Sequence, residues 1–520
     1  MMTAPQGRTS VPLRELLKGW VAEEAIPSLA VSGIQSDSRN LESGQLFLAI
    51  DGLQCHGLDY SAQAVSKGCA AIAYDPVGTE ALAIPLQKGE TPFISVPGLS
   101  ENLGILADRF YGAPSSAMAV IGVTGTNGKT SCTHFIAEAT SQLWDSGVIG
   151  TLGWGRTAAL EPTRHTTPDP IELQRIMASL RDQGCRLVAM EASSHGLSQG
   201  RMKGVRFKGA VFTNFSRDHL DYHGTMDAYL EAKLALAFWP DLEFIVFSAE
   251  QAFAEPIVQR SGGKVSLLAF CSADYETSLD VPMLRFGKAL PERGGMSFDV
   301  TFGDRRRTVR TGLYGDFNVE NITATLGVLL CLGMDLDAAI GLLEKVKPVP
   351  GRMERVECEG KQVVVDYAHT PDALATVLEG ARQHAKRHLW VVFGCGGDRD
   401  RGKRPEMGAV ASERADHIIL TDDNPRSESG DEIIQEILKG ISHPNVIVIR
   451  DRRDAIRRAL NEIGPDDFLV VAGKGHETTQ EIAGIKYPFN DRDVIQNNCS
   501  GQSPTEIFSL NKTLQRSAQG

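Results

Sequence analysis

The middle of this chain is organised around Gly122-Val-Thr-Gly-Thr-Asn-Gly-Lys-Thr-Ser131. The apolar run Met118–Val123 predicts a strand, glycines at 122, 125 and 128 permit a tight turn, and Lys129-Thr130 begin a helix. A strand–loop–helix of this kind aims backbone N–H groups and a helix N-terminus at a phosphate. Gly125, Thr126, Asn127, Gly128, Lys129, Thr130 and Ser131 are therefore candidate ATP contacts. Lys129 would reach the outer phosphates, and the Thr130 or Ser131 hydroxyl would suit Mg2+. The strict phosphate-loop pattern has a glycine five residues before Gly128; Val123 stands there, so the loop is a variant.

Downstream, strand-like runs recur at Leu187–Met190, Ala210–Thr213 and Phe244–Phe247, with helical stretches between them. That alternation predicts a mostly parallel sheet over residues 113–347. Upstream, Leu46–Ile50, Ala70–Tyr74 and Phe93–Val96 are short β-like runs separated by polar turns. They imply a small α/β domain over 1–112, with Leu99–Tyr111 helical and GAPSS (112–116) as a hinge. Two prolines and a glycine in KPVPGRMERV (347–356) mark the next boundary. Val363–Val365, Trp390–Phe393, His417–Leu420, Val446–Ile449 and Phe468–Val471 then predict a second doubly wound unit, 348–497, followed by a frayed polar tail, 498–520.

The composition agrees with a globular α/β chain. At 520 residues there is room for about three or four domains. Lys+Arg 53 against Asp+Glu 65 leaves −12, which disfavours a nucleic-acid binder. Nine scattered cysteines, never C-x-x-C, argue against a disulfide framework and a structural zinc site. No signal peptide or membrane span is evident, so a cytoplasmic monomer is expected.

Several further side chains carry chemistry. Glu191 ends the apolar run LVAM at the edge of the sheet where ligands bind, beside the phosphate loop, and is a candidate metal ligand. His219 and His223 are spaced i, i+4 and flanked by Asp218 and Asp221; a metal pair and a merely polar loop both fit that spacing. Lys233, in DAYLEAKLALAF, reads as a surface lysine. In the last domain, GCGGDRDRGKR (394–404), TDDNPR (421–426) and AGKGHE (472–477) each follow a strand. Together they supply both charge signs, as a zwitterionic amino acid requires.

The loop GTNGKT, with Ser36-Asp-Ser-Arg39, His165-Thr-Thr-Pro168, Glu191-Ala-Ser-Ser-His-Gly196, Thr213-Asn-Phe-Ser-Arg-Asp-His219, Asp366-Tyr-Ala-His-Thr-Pro371 and Gly394-Cys-Gly-Gly-Asp-Arg399, resembles the Mur ligase family, the ATP-dependent amide-bond-forming ligases of peptidoglycan synthesis. Seven blocks in order span about Ser36 to Asp491. The likeness is strongest to members that add meso-diaminopimelate to UDP-N-acetylmuramoyl-L-alanyl-D-glutamate. It implies three domains: a UDP-binding α/β domain, a central P-loop ATPase-like sheet and a Rossmann-like C-terminal domain.

For the sites, it implies UDP-muramoyl-dipeptide contacts at Ser36, Ser38, Leu53, Gln54, Cys55, His165, Thr166, Thr167, Ser193, Gln199 and Arg201. It implies nucleotide contacts at Asn318, Asn321 and His369. Diaminopimelate contacts fall at Arg399, Asp423, Asn424, Pro425, Arg426, Gly473 and Glu477. Mg2+ would be held by Thr130 or Ser131, Glu191, His219 and a Lys233 carbamylated by CO2. An ammonium beside Mg2+ repels it by several kcal/mol at an effective dielectric of about 20, whereas a carbamate supplies hard oxygen ligands. Two alternatives stay open at this point: a folylpolyglutamate synthase of the same architecture, and a non-catalytic nucleotide-binding scaffold.

Overall fold

A computed structural model describes residues 10–52, 55–79, 91–292, 294–358, 360–442 and 444–499. Leu53, Gln54 and the tail from residue 500, expected to be a uridine-site turn and a frayed end, lie outside these residues. The chain separates into two compact units, 1–284 with 323–342, and 285–322 with 343–520.

The first unit carries two main sheets, one parallel throughout and a larger one parallel across its centre, with antiparallel strands Gly153–Arg156 and Ala159–Glu161 at one edge. In the smaller, Ile34–Gln35, Leu46–Ala49, Ala71–Tyr74 and Phe93–Ser95 lie side by side in chain order, all parallel. In the larger, the order runs Ser146–Gly150, Leu187–Glu191, Ala119–Thr124, Gly209–Phe212, Phe244–Ser248, Ser266–Ser272. The neighbours within that stretch are parallel. The strands 187–191, 209–212 and 244–248 are buried along their whole length, which is why they read as unbroken apolar runs. Helix Pro170–Asp182, capped by Asp169 and started by Pro170, buries Leu173, Ile176, Met177 and Leu180 against Val120, Val188 and Met190.

The second unit carries a sheet ordered Glu354–Arg355, Gln362–Asp366, Phe468–Ala472, Leu389–Phe393, His417–Leu420, Val446–Val448, parallel apart from the first pair. Alternate residues of each strand feed different cores. Val364, Val391 and Val470 join one cluster with Leu378 and Ile434; Val363, Val365, Val392 and Val471 join another with Ile456 and Ile495. Helices therefore cover both faces, as in a doubly wound sheet. The α/β class with parallel sheets stands.

Three features depart from expectation. Gly122 is inside the strand 119–124, where a Cβ would sit 2.9 Å from Phe207, so it serves close packing, and the turn begins at Gly125. The second unit also holds an antiparallel pair, Gly295–Phe302 with Arg305–Thr311, whose alternation of Met296, Phe298 and Val300 with polar residues went unread. Finally, Cys358 and Cys499 form a disulfide across a Cα–Cα distance of 5.0 Å. They are 141 residues apart, and only the packing of the last helix, Asp491–Cys499, on this sheet brings them together. One bridge is not a framework, and a pairing across 141 residues carries no local signal in the sequence.

Candidate active site

The first unit builds a centre from three neighbouring strand ends. Gly125 has φ +150° and Gly128 +82°, so the loop turns where side chains are disfavoured, and helix Lys129–Ser141 starts directly after it. The next strand's loop straps it down. Thr126 N–H donates to the Asn214 carbonyl at 2.9 Å, Asn127 N–H to Asn214 Oδ1 at 2.7 Å, and Thr213 Oγ1 to the Asn127 carbonyl at 2.6 Å. The loop is thus preorganised by main-chain and amide contacts.

Glu191 is 1% exposed and meets only neutral donors. Its Oε1 accepts from Thr130 Oγ1 at 3.0 Å and Thr151 N–H at 2.8 Å, and Oε2 accepts from Thr151 Oγ1 at 3.2 Å. Of the two candidate hydroxyls, Thr130 is the one that reaches this carboxylate; Ser131 is buried in the same helical turn. A buried carboxylate and a hydroxyl side by side form an oxygen donor set that suits a hard divalent cation.

Lys233 is not a surface lysine. Helix Met226–Leu234 presents Tyr229 and Lys233 one turn apart, and both are buried. Lys233 Nζ donates to the Gly125 carbonyl at 2.7 Å and lies 4.4 Å from the Tyr229 ring centroid. Lys129 Nζ donates to the same carbonyl at 2.8 Å and to the Thr126 carbonyl at 2.8 Å. Burial, reinforced by the Lys129 charge, holds the Lys233 ammonium far below its ordinary pKa. A neutral amine is the form that can attack CO2.

His219 sits at φ +53° after Asp218, in the left-handed region that a non-glycine residue rarely adopts. It packs edge-on to His195 at 4.9 Å, and His195 lies 5.5 Å from His223. Burial, with His195 and the two lysines, lowers the His219 pKa against the pull of Asp218. His223 Nε2 bonds Ser194 Oγ at 3.0 Å, so His223 serves the loop and His195 is the ring that sequence reasoning missed. Among the described residues, no three His, Cys, Asp or Glu side chains form a metal-holding group.

Next to this centre, Thr167 Oγ1 donates to the Glu191 carbonyl at 2.8 Å and bonds Ser193 Oγ at 2.9 Å. Thr166 bonds Thr151 at 3.0 Å. Arg201 donates to the Thr167 carbonyl at 2.8 Å and to Gln199 Oε1 at 2.9 and 2.6 Å. Its guanidinium is thus held by neutral acceptors, which leaves its charge available to an anionic substrate. His165 is exposed. In the smaller sheet, Ser36 and Ser38 follow one strand and Cys55 lies past the end of the next, with Ser38 Oγ donating to Gln63 at 2.7 Å and Cys55 Sγ 3.4 Å from the Tyr60 hydroxyl.

The second unit gathers its candidates at the C-terminal ends of adjacent parallel strands. The oxygens of Asp366 accept from Met353 and Ala368 N–H groups, each at 2.7 Å, which shapes the loop. His369 is exposed beside it, with Nδ1 bonding the Tyr367 carbonyl at 2.8 Å. Asn318 and Asn321 are buried and spend amide groups locally, on the Tyr314 carbonyl at 2.8 Å and on Asn318 Oδ1 at 3.1 Å.

Arg426 is not paired with Asp422 or Asp423. Asp422 belongs to Arg450 at 2.7 Å, while Arg426 Nη1 donates to the Gly397 carbonyl at 2.6 Å. Arg426 has φ +53° and is pinned there by main-chain bonds to Glu481 and Ala483. A Cβ at Gly396 would sit 2.9 Å from Arg426 Nη1 and 3.6 Å from Arg399 Cγ, so both arginines flank one glycine. Pro425 precedes Arg426, and Gly397 packs against its carbonyl.

On the neighbouring loop, Gly473 (φ +113°) leaves room for Asp423 Oδ2, a buried oxygen with no hydrogen-bond partner among the described residues; burial raises the Asp423 pKa. Asn424 Nδ2 donates to Glu477 Oε2 at 2.8 Å, and Lys474 Nζ to the same oxygen at 2.8 Å. Burial opposes ionisation of Glu477, but Lys474 and Asn424 outweigh it and hold its carboxyl below the usual range. Lys474 had no role in the sequence reading, although it lies inside AGKGHE.

Comparison with known proteins matches this layout. Residues 30–111 fit the Mur ligase family catalytic domain, 123–329 the Mur ligase middle domain and 351–475 the Mur ligase glutamate ligase domain. The UDP-N-acetylmuramoyl-L-alanyl-D-glutamate–2,6-diaminopimelate ligase of Coxiella burnetii is 44% identical over 464 residues, 89% of this chain and 94% of that protein.

The chain belongs to the Mur ligase family.

A solved Mur ligase, described as UDP-N-acetylmuramoyl-L-alanyl-D-glutamate–2,6-diaminopimelate ligase, superposes with a TM-score of 0.70 at 34% identity, covering 95% of this chain and 99% of that one. Folylpolyglutamate synthase of Mycobacterium tuberculosis shares the Mur ligase fold alone, at 17% identity and a TM-score of 0.58, over 78% of this chain and 96% of its own.

Proposed function

We propose that this chain joins meso-2,6-diaminopimelate to UDP-N-acetylmuramoyl-L-alanyl-D-glutamate, with conversion of ATP to ADP and phosphate. The observation that carries the reading is the 44% identity, along 89% of the chain, to a ligase named for that substrate pair. The site chemistry supports it. The loop 125–131 binds the nucleotide phosphates through its N–H groups, and Lys129 exchanges its carbonyl partners for the outer phosphate oxygens. A substrate carboxylate oxygen then attacks the terminal phosphorus; the bond to ADP breaks and an acyl phosphate forms. The amine attacks the acyl carbon, the C–N bond forms, phosphate leaves with the C–O bond electrons, and a proton is lost from nitrogen. Lys129 neutralises charge on the transferred group, and no side chain becomes a covalent nucleophile.

Thr130 and Glu191, with His219 and a carbamylated Lys233, would hold Mg2+, which offsets phosphate charge when bound. The turns at Ser36, Ser38 and Cys55 take the uridine diphosphate. Thr166, Thr167, Ser193, Gln199 and Arg201 take the muramoyl-dipeptide. Arg399 and Arg426 take the two carboxylates of diaminopimelate, and Glu477 with the Gly473 carbonyl edge takes an ammonium. Residues 1–112, 113–347 and 348–497 are the corresponding functional domains, acting in the cytoplasm where UDP-linked precursors and ATP are found, and the chain acts as a monomer.

The test is phosphate release coupled to product mass, with the UDP-dipeptide, ATP and either meso-diaminopimelate or lysine. Tripeptide product with diaminopimelate and little with lysine is expected. Nucleotide binding without phosphate release would favour a scaffold, and turnover with a folate and glutamate would favour the synthase; either outcome sinks the proposal.

A further inference from the structure

Lys474 is fully buried and charged, yet none of the steps above uses it. Its Nζ donates to Glu477 Oε2 at 2.8 Å and to Asn424 Oδ1 at 3.0 Å. Asn424 Nδ2 donates to the same Glu477 oxygen at 2.8 Å, and Asn424 Oδ1 also accepts from the Glu481 N–H at 2.9 Å. One ammonium therefore ties the loop after His417–Leu420 to the loop after Phe468–Ala472. Two donors occupy Oε2 of Glu477, while its Oε1 carries no hydrogen bond among the described residues. The Glu477 side chain is 30% exposed, so that second oxygen is accessible.

The buried groups beside it leave one carboxyl oxygen over. Lys474 faces Glu477, and the fully buried Arg452 faces Asp491 at 2.7 Å. Asp423 Oδ2 is left over, buried and without a partner, beside Gly473. Burying an ammonium such as that of Lys474 is costly unless its geometry does something an apolar side chain could not.

We propose that Lys474 is the positioning residue of the amine site: it locks Glu477 Oε2 inward against Asn424, so that Oε1 is presented to the ammonium of the incoming amino acid. This rests on the reading of the pocket as the diaminopimelate site. Lys474 itself touches no substrate; it acts through Glu477 and Asn424.

The test compares wild type, Lys474→Met, Glu477→Gln and the double variant in full-length protein, with KM and kcat for all three substrates. Lys474→Met is expected to raise the diaminopimelate KM about tenfold or more, with KM for ATP and the UDP-dipeptide within about twofold. In the Glu477→Gln background, Lys474→Met should add less than about twofold, because the group it positions is already altered. A uniform fall in kcat with all three KM values unchanged, or independent losses that multiply in the double variant, overturns the proposal. Where Lys474→Met alone fails to fold, the double variant, which replaces the charge pair by two neutral side chains, is compared with Glu477→Gln, and a further loss above about threefold is decisive against it. A wild type that does not use diaminopimelate brings down the site assignment as well. A wild type that does, with Lys474→Met unchanged, brings down the positioning role alone.

Discussion

The two units solve the problem of buried charge in opposite ways. In the first, Glu191 is sunk among neutral hydroxyl and N–H donors, and Lys129 and Lys233 both donate to one carbonyl, that of Gly125. Two amines crowd one carbonyl, and burial with the Lys129 charge disfavours the charged form of Lys233. In the second, the buried cations are matched: Arg452 with Asp491, Arg404 with Glu428 and Glu436, Lys474 with Glu477. The first arrangement is primed for a ligand that brings its own anions and cation. The second is already close to balance, so what it offers a ligand is the placement of single oxygens and nitrogens.

The sharpest break of that contrast is in the first unit. Lys129→Ala should lower amide formation by about 10³-fold or more, with UDP-substrate binding by calorimetry little changed. Full turnover would remove the phosphate-loop assignment. Lys233→Ala should lose about a hundredfold, and short carboxylic acids added with bicarbonate should restore part of it, since a diffusible carboxylate can replace carbamate oxygens. Normal activity without additives would mean that Lys233 contributes only packing.

Effects in the second unit should be structural or selective. Asp491→Ala leaves the Arg452 guanidinium buried and alone, and should cost about 3–5 kcal/mol in denaturant unfolding. A loss under 1 kcal/mol would show that the pair relaxes into water. Arg426→Ala should lower kcat/KM for diaminopimelate about thirtyfold, with a much smaller fall for lysine, which has no far carboxylate. Equal losses for the two amines would assign Arg426 to the fold. The smallest effect is expected at Lys208, whose 2.6 Å pair with Glu243 is exposed. Lys208→Ala, in the first unit, should change stability by less than about 1 kcal/mol and leave ligase turnover intact.

Legibility followed the same division. Strands buried on both faces, such as Leu187–Glu191 and Phe468–Ala472, announce themselves as apolar runs, and the phosphate loop is contiguous, so residues 125–130 and Glu191 could be placed from the sequence. What escaped depends on contacts between distant segments. The burial of Lys233 has no local signal, because DAYLEAKLALAF mixes polar and apolar residues without a helical period. Lys474 acquires meaning only from Asn424, 50 residues away, and Cys358 from Cys499. His223 was left open between a metal pair and a polar loop, and its bond to Ser194 Oγ, 29 residues away, could not be read from spacing.

Gly104 and Gly204 carry a consequence of their own. A Cβ at Gly104 would fall on the Lys203 carbonyl oxygen, and one at Gly204 would lie 2.7 Å from the Gly104 carbonyl oxygen. Helix Leu99–Phe110 thus rests backbone to backbone on the segment that follows Arg201, with no side chain between to act as a cushion. Long side chains can slide and repack; two main chains at that distance cannot. The helix and that segment therefore keep one spacing, as the jaws of a caliper are held by their screw, and a single added methyl at either glycine would force them open.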